Sequence, residues 1–130
     1  MLHIPVIMRT AVKATPRNIL LVEDDPSARQ SIKLLLSIDR HTVTEASDGY
    51  EALQLFAGSN YDLVITDYLL PGMLGDELAQ NIRNIVPGQP ILMLTAYQEK
   101  LVDAGKPVDA VLGKPVSVDA LRQAIARATR

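Results

Sequence analysis

Cysteine is absent from this 130-residue chain, and histidine occurs only twice. Without cysteine the protein can form no disulfide, no thiolate zinc site and no cysteine nucleophile. His3 lies near the N-terminus and His41 in a predicted edge strand, so neither a histidine zinc cluster nor serine–histidine catalysis is indicated. The lack of cysteine also fits a reducing compartment, and we expect a cytoplasmic protein.

The chain also lacks a long hydrophobic run and a strong net charge. Its apolar start, LHIPVIM, is much shorter than the roughly 20 apolar residues of a membrane-spanning helix, and it lacks the basic start of a signal peptide. Thirteen basic and fifteen acidic residues give a net charge of -2, which is not typical of a nucleic-acid-binding domain. We therefore expect no membrane association and no direct nucleic-acid binding.

The composition divides the chain into a short extension and one globular domain. Residues 1–17 are predicted to be a poorly ordered or loosely docked N-terminal extension, because a brief apolar start is followed by scattered basic residues and a proline. Residues 18–130 are predicted to form a single domain. The whole chain has 48% hydrophobic and 22% charged residues, which is an ordinary balance for a protein with one core.

From residue 18 onward, short apolar or β-branched segments alternate with amphipathic ones. Strands are predicted in the segments NILLVEDD, HTVTEA, DLVIT, PILMLT and DAVLG. Helices are predicted in PSARQSIKLLLSI, in SDGYEALQLFAG, on the face formed by Leu74, Leu78, Ile82 and Ile85, and in SVDALRQAIARA; YQEKLVDAG is a short helix at best. This α/β alternation predicts a doubly wound, five-stranded parallel sheet in the flavodoxin-like order 2-1-3-4-5, with helices on both faces.

Polar side chains follow four of the predicted strands at their carboxyl ends, where ligands bind in folds of this kind. Asp24 and Asp25 end the first strand, Asp67 the third and Thr95 the fourth, and Lys114 follows the fifth. Each has an ordinary explanation alone; Asp25, which precedes a proline, is best explained as a helix N-cap. Together they predict three clustered carboxylates, which repel by roughly 4 kcal/mol per pair at about 4 Å and an effective dielectric of about 20. A magnesium ion and the lysine would offset this repulsion, which indicates a phosphate-handling site where a carboxylate can be the nucleophile.

These motifs resemble a receiver domain of the response-regulator family, the phosphoacceptor half of two-component signalling. The similarity covers residues 18–129 and rests on the segments LLVEDD, DLVITDYLLPGM, LTA and GKP. The resemblance implies that Asp67 is the phosphoacceptor and that Mg2+ is the cofactor. It implies four metal ligands, which are Asp24, Asp25, Asp67 and the backbone carbonyl of Leu69.

The resemblance also implies roles for the residues at the last two strands. Thr95 would be the switch hydroxyl, Lys114 would pair with the phosphoryl group, and a cis peptide bond would precede Pro115. The implied partners are a sensor histidine kinase or phosphotransfer protein as donor and an output domain or downstream protein as recipient, with a homodimer as a further option. The implied protein is a signalling switch, not an enzyme beyond its own phosphorylation and a slow autophosphatase activity.

Two features near the switch hydroxyl depart from the usual family pattern. Val111 stands three positions before the lysine, where the family often has an aromatic residue that rotates with the threonine. Only nineteen positions separate Thr95 from Lys114, which is shorter than usual and leaves room for a short helix only. We therefore expect the phosphorylation signal to travel through ordering of residues 95–107.

Leu69 and Tyr97, two residues after the predicted acceptor and the switch hydroxyl, are bulky and largely apolar. Because polar residues there would help to position an attacking water, we expect the phosphorylated form to last minutes or more. Leu69 also weighs against the main alternative, a phosphotransferase of the haloacid dehalogenase type, which usually has a second acid at that position. The other alternative is a pseudo-receiver that serves only as a protein-binding module. The sequence leaves open the cognate kinase, the stimulus, the output and whether the domain stands alone.

Overall fold

The computed structural model describes residues 14–96 and 107–130, in which strands and helices alternate. The strands are β1 (Asn18–Val22), β2 (Thr42–Ala46), β3 (Leu63–Asp67), β4 (Ile91–Thr95) and β5 (Ala110–Gly113). The described helices are α1 (Pro26–Ile38), α2 (Gly49–Gly58), α3 (Gly75–Ile85) and α4 (Val118–Ala128), and none of them is long and apolar enough to cross a membrane. The strands form one parallel sheet in the order β2-β1-β3-β4-β5, which confirms the predicted doubly wound fold.

The inner strands β1, β3 and β4 are buried on both faces of the sheet, because successive side chains point to opposite sides. One face packs against α2 and α3 through a core that includes Leu20, Phe56, Val64, Leu78 and Ile82. The other face packs against α1 and α4 through a core that includes Leu21, Leu36, Ile65, Leu121 and Ile125. Burial of apolar surface contributes about 25 cal/mol per Å2 to the free energy of folding, so packing on both faces stabilises the sheet that holds the loops at its edge.

Three helices begin at the capping residues that their sequences indicate. Asp25 Oδ2 accepts a hydrogen bond from the Ala28 backbone N–H (3.0 Å), and Pro26 follows as the first residue of α1. Asp48 and Ser117 cap α2 and α4 in the same way. Each cap sets the point at which a helix leaves the edge of the sheet that carries the carboxyl ends of the strands.

Residues 14–17 of the predicted extension are described, and Arg17 is tied to the opposite edge of the sheet. Its backbone oxygen accepts a hydrogen bond from Thr42 N (2.9 Å), and its backbone N–H donates to His41 Nδ1 (2.9 Å). Its guanidinium donates to the backbone oxygen of Thr129 (2.9 Å). Residues 1–13, the rest of the predicted extension, lie outside the described residues.

Candidate functional site

Three carboxylates meet where β1 and β3 end. These strands are neighbours, with Val22 paired to Thr66, so the residues that follow lie side by side. Glu23, Asp24 and Asp67 each offer a carboxylate oxygen, and these oxygens all lie within 4.8 Å of one another. The sheet therefore brings acids from two strand ends together, as the strand order predicted. These three residues are called the acidic cluster below.

Glu23 is the buried member of the acidic cluster, with 2% of its surface exposed. Its Oε1 lies 2.5 Å from Lys114 Nζ, whereas its Oε2 has no hydrogen-bond partner among the described residues. Burial raises the pKa of Glu23 to about 7; the hydrogen bond from Lys114 opposes this rise and the charge of Asp67 adds to it. An unpaired, buried carboxylate oxygen carries a desolvation penalty that a bound cation would remove.

Asp67 ends β3, and both of its carboxylate oxygens are engaged. Oδ1 accepts a hydrogen bond from the Tyr68 backbone N–H (2.8 Å), and Oδ2 lies 3.0 Å from Lys114 Nζ. The side chain is still 14% exposed, so a reactant can reach it from solvent. A carboxylate at this position can act as a nucleophile while the neighbouring ammonium neutralises developing charge.

Lys114 reaches the acidic cluster from the loop after β5. Its backbone N–H donates to Thr95 O (2.9 Å), which holds this loop against the end of β4. Burial lowers the pKa of Lys114, but hydrogen bonds to Glu23 and Asp67 outweigh burial and raise the pKa above its ordinary value. Lys114 is therefore charged at neutral pH. The Lys114–Pro115 peptide bond is cis, as the resemblance implied.

Asp25, which the resemblance implied as a metal ligand, does not belong to the acidic cluster in the structure. Its carboxylate caps α1 by accepting a hydrogen bond from Ala28 N, which is the ordinary role of an acid before a proline. Glu23, which the sequence interpretation omitted, takes the third place among the acids. The sequence did contain a signal for this outcome. Pro26 marks the first residue of the helix, so the oxygen of the preceding acid is committed to capping.

Thr95 lies at the end of β4, beside the strand of Asp67. Asp67 is paired with Leu94, so Thr95 stands one position further along the neighbouring strand, and it is almost fully buried. Leu69, two residues after Asp67, has an exposed side chain. Tyr97 lies outside the described residues, as does the rest of the segment YQEKLVDAG.

The loop after Asp67 depends on two glycines. Gly72 has a φ of 77°, in the left-handed region that glycine adopts without strain. Gly75 begins α3, and its backbone N–H donates to Tyr68 O at 2.7 Å. A Cβ atom at Gly75 would lie 2.2 Å from the backbone oxygen of Asp67, far inside van der Waals contact. The turn at Pro71-Gly72 thus returns the chain closely onto the end of β3.

The donor set of the acidic cluster suits a hard divalent cation. All of its donors are carboxylate oxygens, which are the ligands that Mg2+ prefers in proteins. The unpaired Glu23 Oε2 gives an independent reason, because a cation would satisfy it. Glu23, Asp24 and Asp67 are therefore the side chains that would hold such an ion.

Proteins of known sequence resemble this chain over the same region. Residues 19–126 match the family model described as the response regulator receiver domain. The transcriptional regulatory protein GlrR of Escherichia coli is 35% identical over 113 residues, which are 85% of this chain and 26% of that protein. The response regulator MprA of a Mycobacterium species is 35% identical over 109 residues, 82% of this chain and 47% of that protein. The chain thus spans about a quarter to a half of the length of these curated relatives.

Solved structures agree with the sequence comparisons. The response regulator protein TrrA of Thermotoga maritima, solved in complex with Mg(2+)-BeF, has a TM-score of 0.80 and 34% identity, and the match covers 85% of this chain and 97% of that one. A response regulator receiver domain protein of Clostridium thermocellum has a TM-score of 0.79 and 31% identity, covering 86% of this chain and 93% of that one. The family match extends over all of the sheet except Asn18 and includes the acidic cluster, and the chain belongs to the response regulator receiver domain family.

Proposed function

We propose that this receiver domain accepts a phosphoryl group on Asp67, with Mg2+ bound by Glu23, Asp24 and Asp67. The observation that carries the proposal is the position of Lys114, which contacts Asp67 and Glu23 at the edge of the acidic cluster. The acceptor carboxylate of Asp67, the ammonium group of Lys114 and the other carboxylate oxygens of the acidic cluster thus lie at one edge of the sheet. The backbone carbonyl of Leu69 remains in the proposal as a fourth ligand, on the strength of the family resemblance.

In the proposed reaction, a carboxylate oxygen of Asp67 attacks the phosphorus of a phosphohistidine. The P–N bond of the donor breaks, its electron pair stays on the imidazole nitrogen, and the new P–O bond makes an aspartyl phosphate. Lys114, with its Nζ 3.0 Å from Asp67 Oδ2, neutralises charge on the transferred group. Bound Mg2+ would supply further charge neutralisation at the phosphoryl oxygens.

Phosphorylation would change the contacts of the residues around Asp67. The phosphoryl group adds close to two negative charges, which compete with Glu23 for Lys114. Thr95, at the end of the neighbouring strand, would donate its hydroxyl to the phosphoryl group. The proposed switch is a change in residues 95–107, of which residues 97–106 lie outside the described residues. Amide hydrogen exchange in the phosphorylated and unphosphorylated proteins tests this switch. Exchange rates that change elsewhere in the domain, and not across residues 95–107, would contradict it.

The proposed partners follow from what receiver domains do in signalling. The donor would be a sensor histidine kinase or a phosphotransfer protein, and the recipient an output domain or a downstream protein. GlrR and a cyclic di-GMP phosphodiesterase of Thermotoga maritima are longer proteins, of which this chain covers 26% and 31%. We propose a cytoplasmic setting, a homodimer as one assembly, and no catalysis beyond self-phosphorylation and slow dephosphorylation.

The two alternative functions are not favoured. A phosphotransferase of the haloacid dehalogenase type usually has a second acid two residues after the nucleophile, and Leu69 occupies that position. The family match is to receiver domains over residues 19–126. A pseudo-receiver without phosphorylation has no need of the acceptor carboxylate, the paired lysine and the other acids, all of which are present at one site.

The proposal is tested by incubating the protein with a small acyl phosphate and measuring its mass. The mass of one phosphoryl group should appear only when Mg2+ is present. Asp67→Asn should abolish the added mass, whereas Asp25→Asn should not, because Asp25 caps a helix. Equal phosphorylation of the Asp67→Asn variant, or full phosphorylation in EDTA, would overturn the assignment.

A further inference from the structure

We infer that Arg29 is a positioning residue for the acidic cluster and that Glu45 holds Arg29 in place. The inference rests on the proposed function, because it concerns the orientation of two proposed Mg2+ ligands. It assigns a supporting role at the site to Arg29 in α1 and Glu45 in β2, and neither residue belongs to the acidic cluster.

The peptide group between Glu23 and Asp24 sets the backbone orientation from which both side chains extend. β1 ends at Val22, so Glu23 lies beyond the strand, although its backbone N–H still donates to Ala46 O (3.0 Å). The carbonyl oxygen of Glu23 accepts a hydrogen bond from Arg29 Nη1 at 2.8 Å. Because a peptide unit is rigid and turns as a whole, this bond fixes the plane that joins the two proposed ligands.

Glu45 holds the guanidinium of Arg29 from the side of β2. Arg29 Nε lies 3.2 Å from Glu45 Oε1, and Lys33 Nζ lies 3.0 Å from Glu45 Oε2. The hydrogen bond from Lys33 lowers the pKa of Glu45, and the Arg29 contact lowers it further, so Glu45 is ionised at neutral pH. The planar guanidinium presents several donors in a fixed fork and can therefore bind a carboxylate and a carbonyl at once. A lysine at position 29 would have only one nitrogen for both acceptors.

The orientation of this peptide matters because Mg2+ tolerates little misplacement. The ion requires near-ideal octahedral geometry with ligands at about 2.0–2.1 Å. Residues that orient metal ligands without touching the ion typically change the affinity by roughly 10- to 100-fold when they are replaced. Asp24 is exposed, so packing does not fix its direction and the backbone must do so. Arg29 ties that backbone to α1 and β2, which flank it.

The test compares Arg29→Gln with Lys33→Gln. Both substitutions remove one positive charge and one contact with Glu45, but only Arg29 contacts the Glu23 carbonyl. We expect Arg29→Gln to raise the Mg2+ dissociation constant roughly tenfold in a calorimetric titration. Lys33→Gln should change it by less than about threefold, since an exposed ion pair contributes little. Arg29→Lys keeps the charge without the fork and should also bind Mg2+ more weakly than the wild type.

A second measurement is made without Mg2+. Amide hydrogen exchange across residues 22–25 should be faster in Arg29→Gln than in the wild type and unchanged in Lys33→Gln. If Arg29→Gln does not fold, Glu45→Gln replaces it, and the same loss of Mg2+ affinity is expected because Arg29 loses its ionic anchor.

Two results would overturn the inference. One is an equal Mg2+ affinity of Arg29→Gln and Lys33→Gln, and the other is full rescue by Arg29→Lys, which would reduce the role of Arg29 to its charge. Failure of the proposed function itself looks different, because the wild-type protein would then show no Mg2+-dependent phosphorylation. Failure of the inference alone leaves that phosphorylation intact.

Discussion

The single ammonium group of Lys114 bridges Glu23 and Asp67, at distances of 2.5 Å and 3.0 Å. One of these acids follows β1 and the other ends β3, so the lysine from the loop after β5 joins three strand ends. A bound cation and a phosphoryl group would each change the charge at this same point. Stability, cation binding and phosphorylation should therefore depend on one another.

Replacing Lys114 by methionine should lower the free energy of unfolding of the metal-free protein by about 2 kcal/mol. The loss stays below the roughly 3–5 kcal/mol of a fully buried broken pair, because Lys114 is 24% exposed and Glu23 can take up a proton. Urea unfolding in EDTA measures it. Lys33→Met is the control; its more exposed pair with Glu45 should contribute less than about 1 kcal/mol. Equal losses in the two variants would contradict the prediction.

Asp24→Asn should stabilise the metal-free protein and remove its stabilisation by Mg2+. The substitution takes away one of three repelling charges and one proposed ligand together. A ligand that binds only the folded state stabilises it by RT ln(1 + [L]/Kd), so the proposed Mg2+ site predicts that the thermal midpoint of the wild-type protein rises with Mg2+ concentration. Asp25→Asn is the matched control, since asparagine also caps helices and Asp25 lies outside the acidic cluster. A lost Mg2+ response in Asp25→Asn, with a normal response in Asp24→Asn, would reverse the assignment.

The raised pKa of Glu23 predicts that the metal-free protein loses stability as the pH rises. The folded-state value of about 7 lies above the ordinary value of 4.5, so the folded state binds this proton more tightly. The contribution is complete below the ordinary value and is lost as the pH rises through the folded-state value. The free energy of unfolding in EDTA should therefore fall between about pH 5 and about pH 8, and fall less in Glu23→Gln.

The difference between the wild type and Glu23→Gln also cancels the contribution of His41, because both proteins contain this residue. Burial lowers the pKa of His41, so its contribution to the free energy of unfolding rises with pH, opposite to that of Glu23. Mg2+ affinity should rise over the same pH range, because Glu23 must lose its proton to bind a cation. A pH profile of stability that is identical in the wild type and in Glu23→Gln would remove the basis of this prediction.

Gly75→Ala should displace the backbone at Asp67 and destabilise the protein more than an alanine substitution at a glycine with open space around it. A Cβ at this position would lie 2.2 Å from the Asp67 backbone oxygen, so α3 or the end of β3 must move. We expect a loss of about 2 kcal/mol in the free energy of unfolding and slower phosphorylation of Asp67. Gly88→Ala serves as the control, because a Cβ there meets nothing within 4 Å. Its free energy of unfolding should change by less than about 1 kcal/mol.

Leu69→Asn should shorten the lifetime of the phosphorylated protein several-fold. The exposed leucine stands two residues after the proposed acceptor, where an amide could hold an attacking water. The loss of the phosphoryl mass with time measures the lifetime. Leu34→Gln, an equally polar change at an exposed position in α1, should leave it unaltered. A wild-type half-life of seconds that Leu69→Asn does not alter would contradict the proposed effect of Leu69 on the lifetime.

The sequence by itself was sufficient to predict the sheet and the three strand ends that carry Asp67, Thr95 and Lys114. The inner strands are continuous apolar runs, and amphipathic helices separate them, so local periodicity determines the elements. Parallel strands place their carboxyl ends at one edge, so a single polar residue after each strand is enough to predict a shared site. Predicting that these residues lie together does not require knowing the direction of each side chain.

Only the tertiary structure decided how the acids after β1 divide between the helix cap and the site. Pro26 marks Asp25 as a helix cap, but no sequence pattern shows that Glu23 joins Asp24 in the acidic cluster. The membership of the acidic cluster depends on the start of α1, where the Asp25 carboxylate caps the helix, and on the ion pair between the buried Glu23 carboxylate and Lys114. It depends also on the bond from Arg29 to the Glu23 carbonyl, a contact between separate elements. The contacts of Glu23 with Lys114 and Arg29 join separate elements and arise from packing in three dimensions, so no local pattern of residues predicts them.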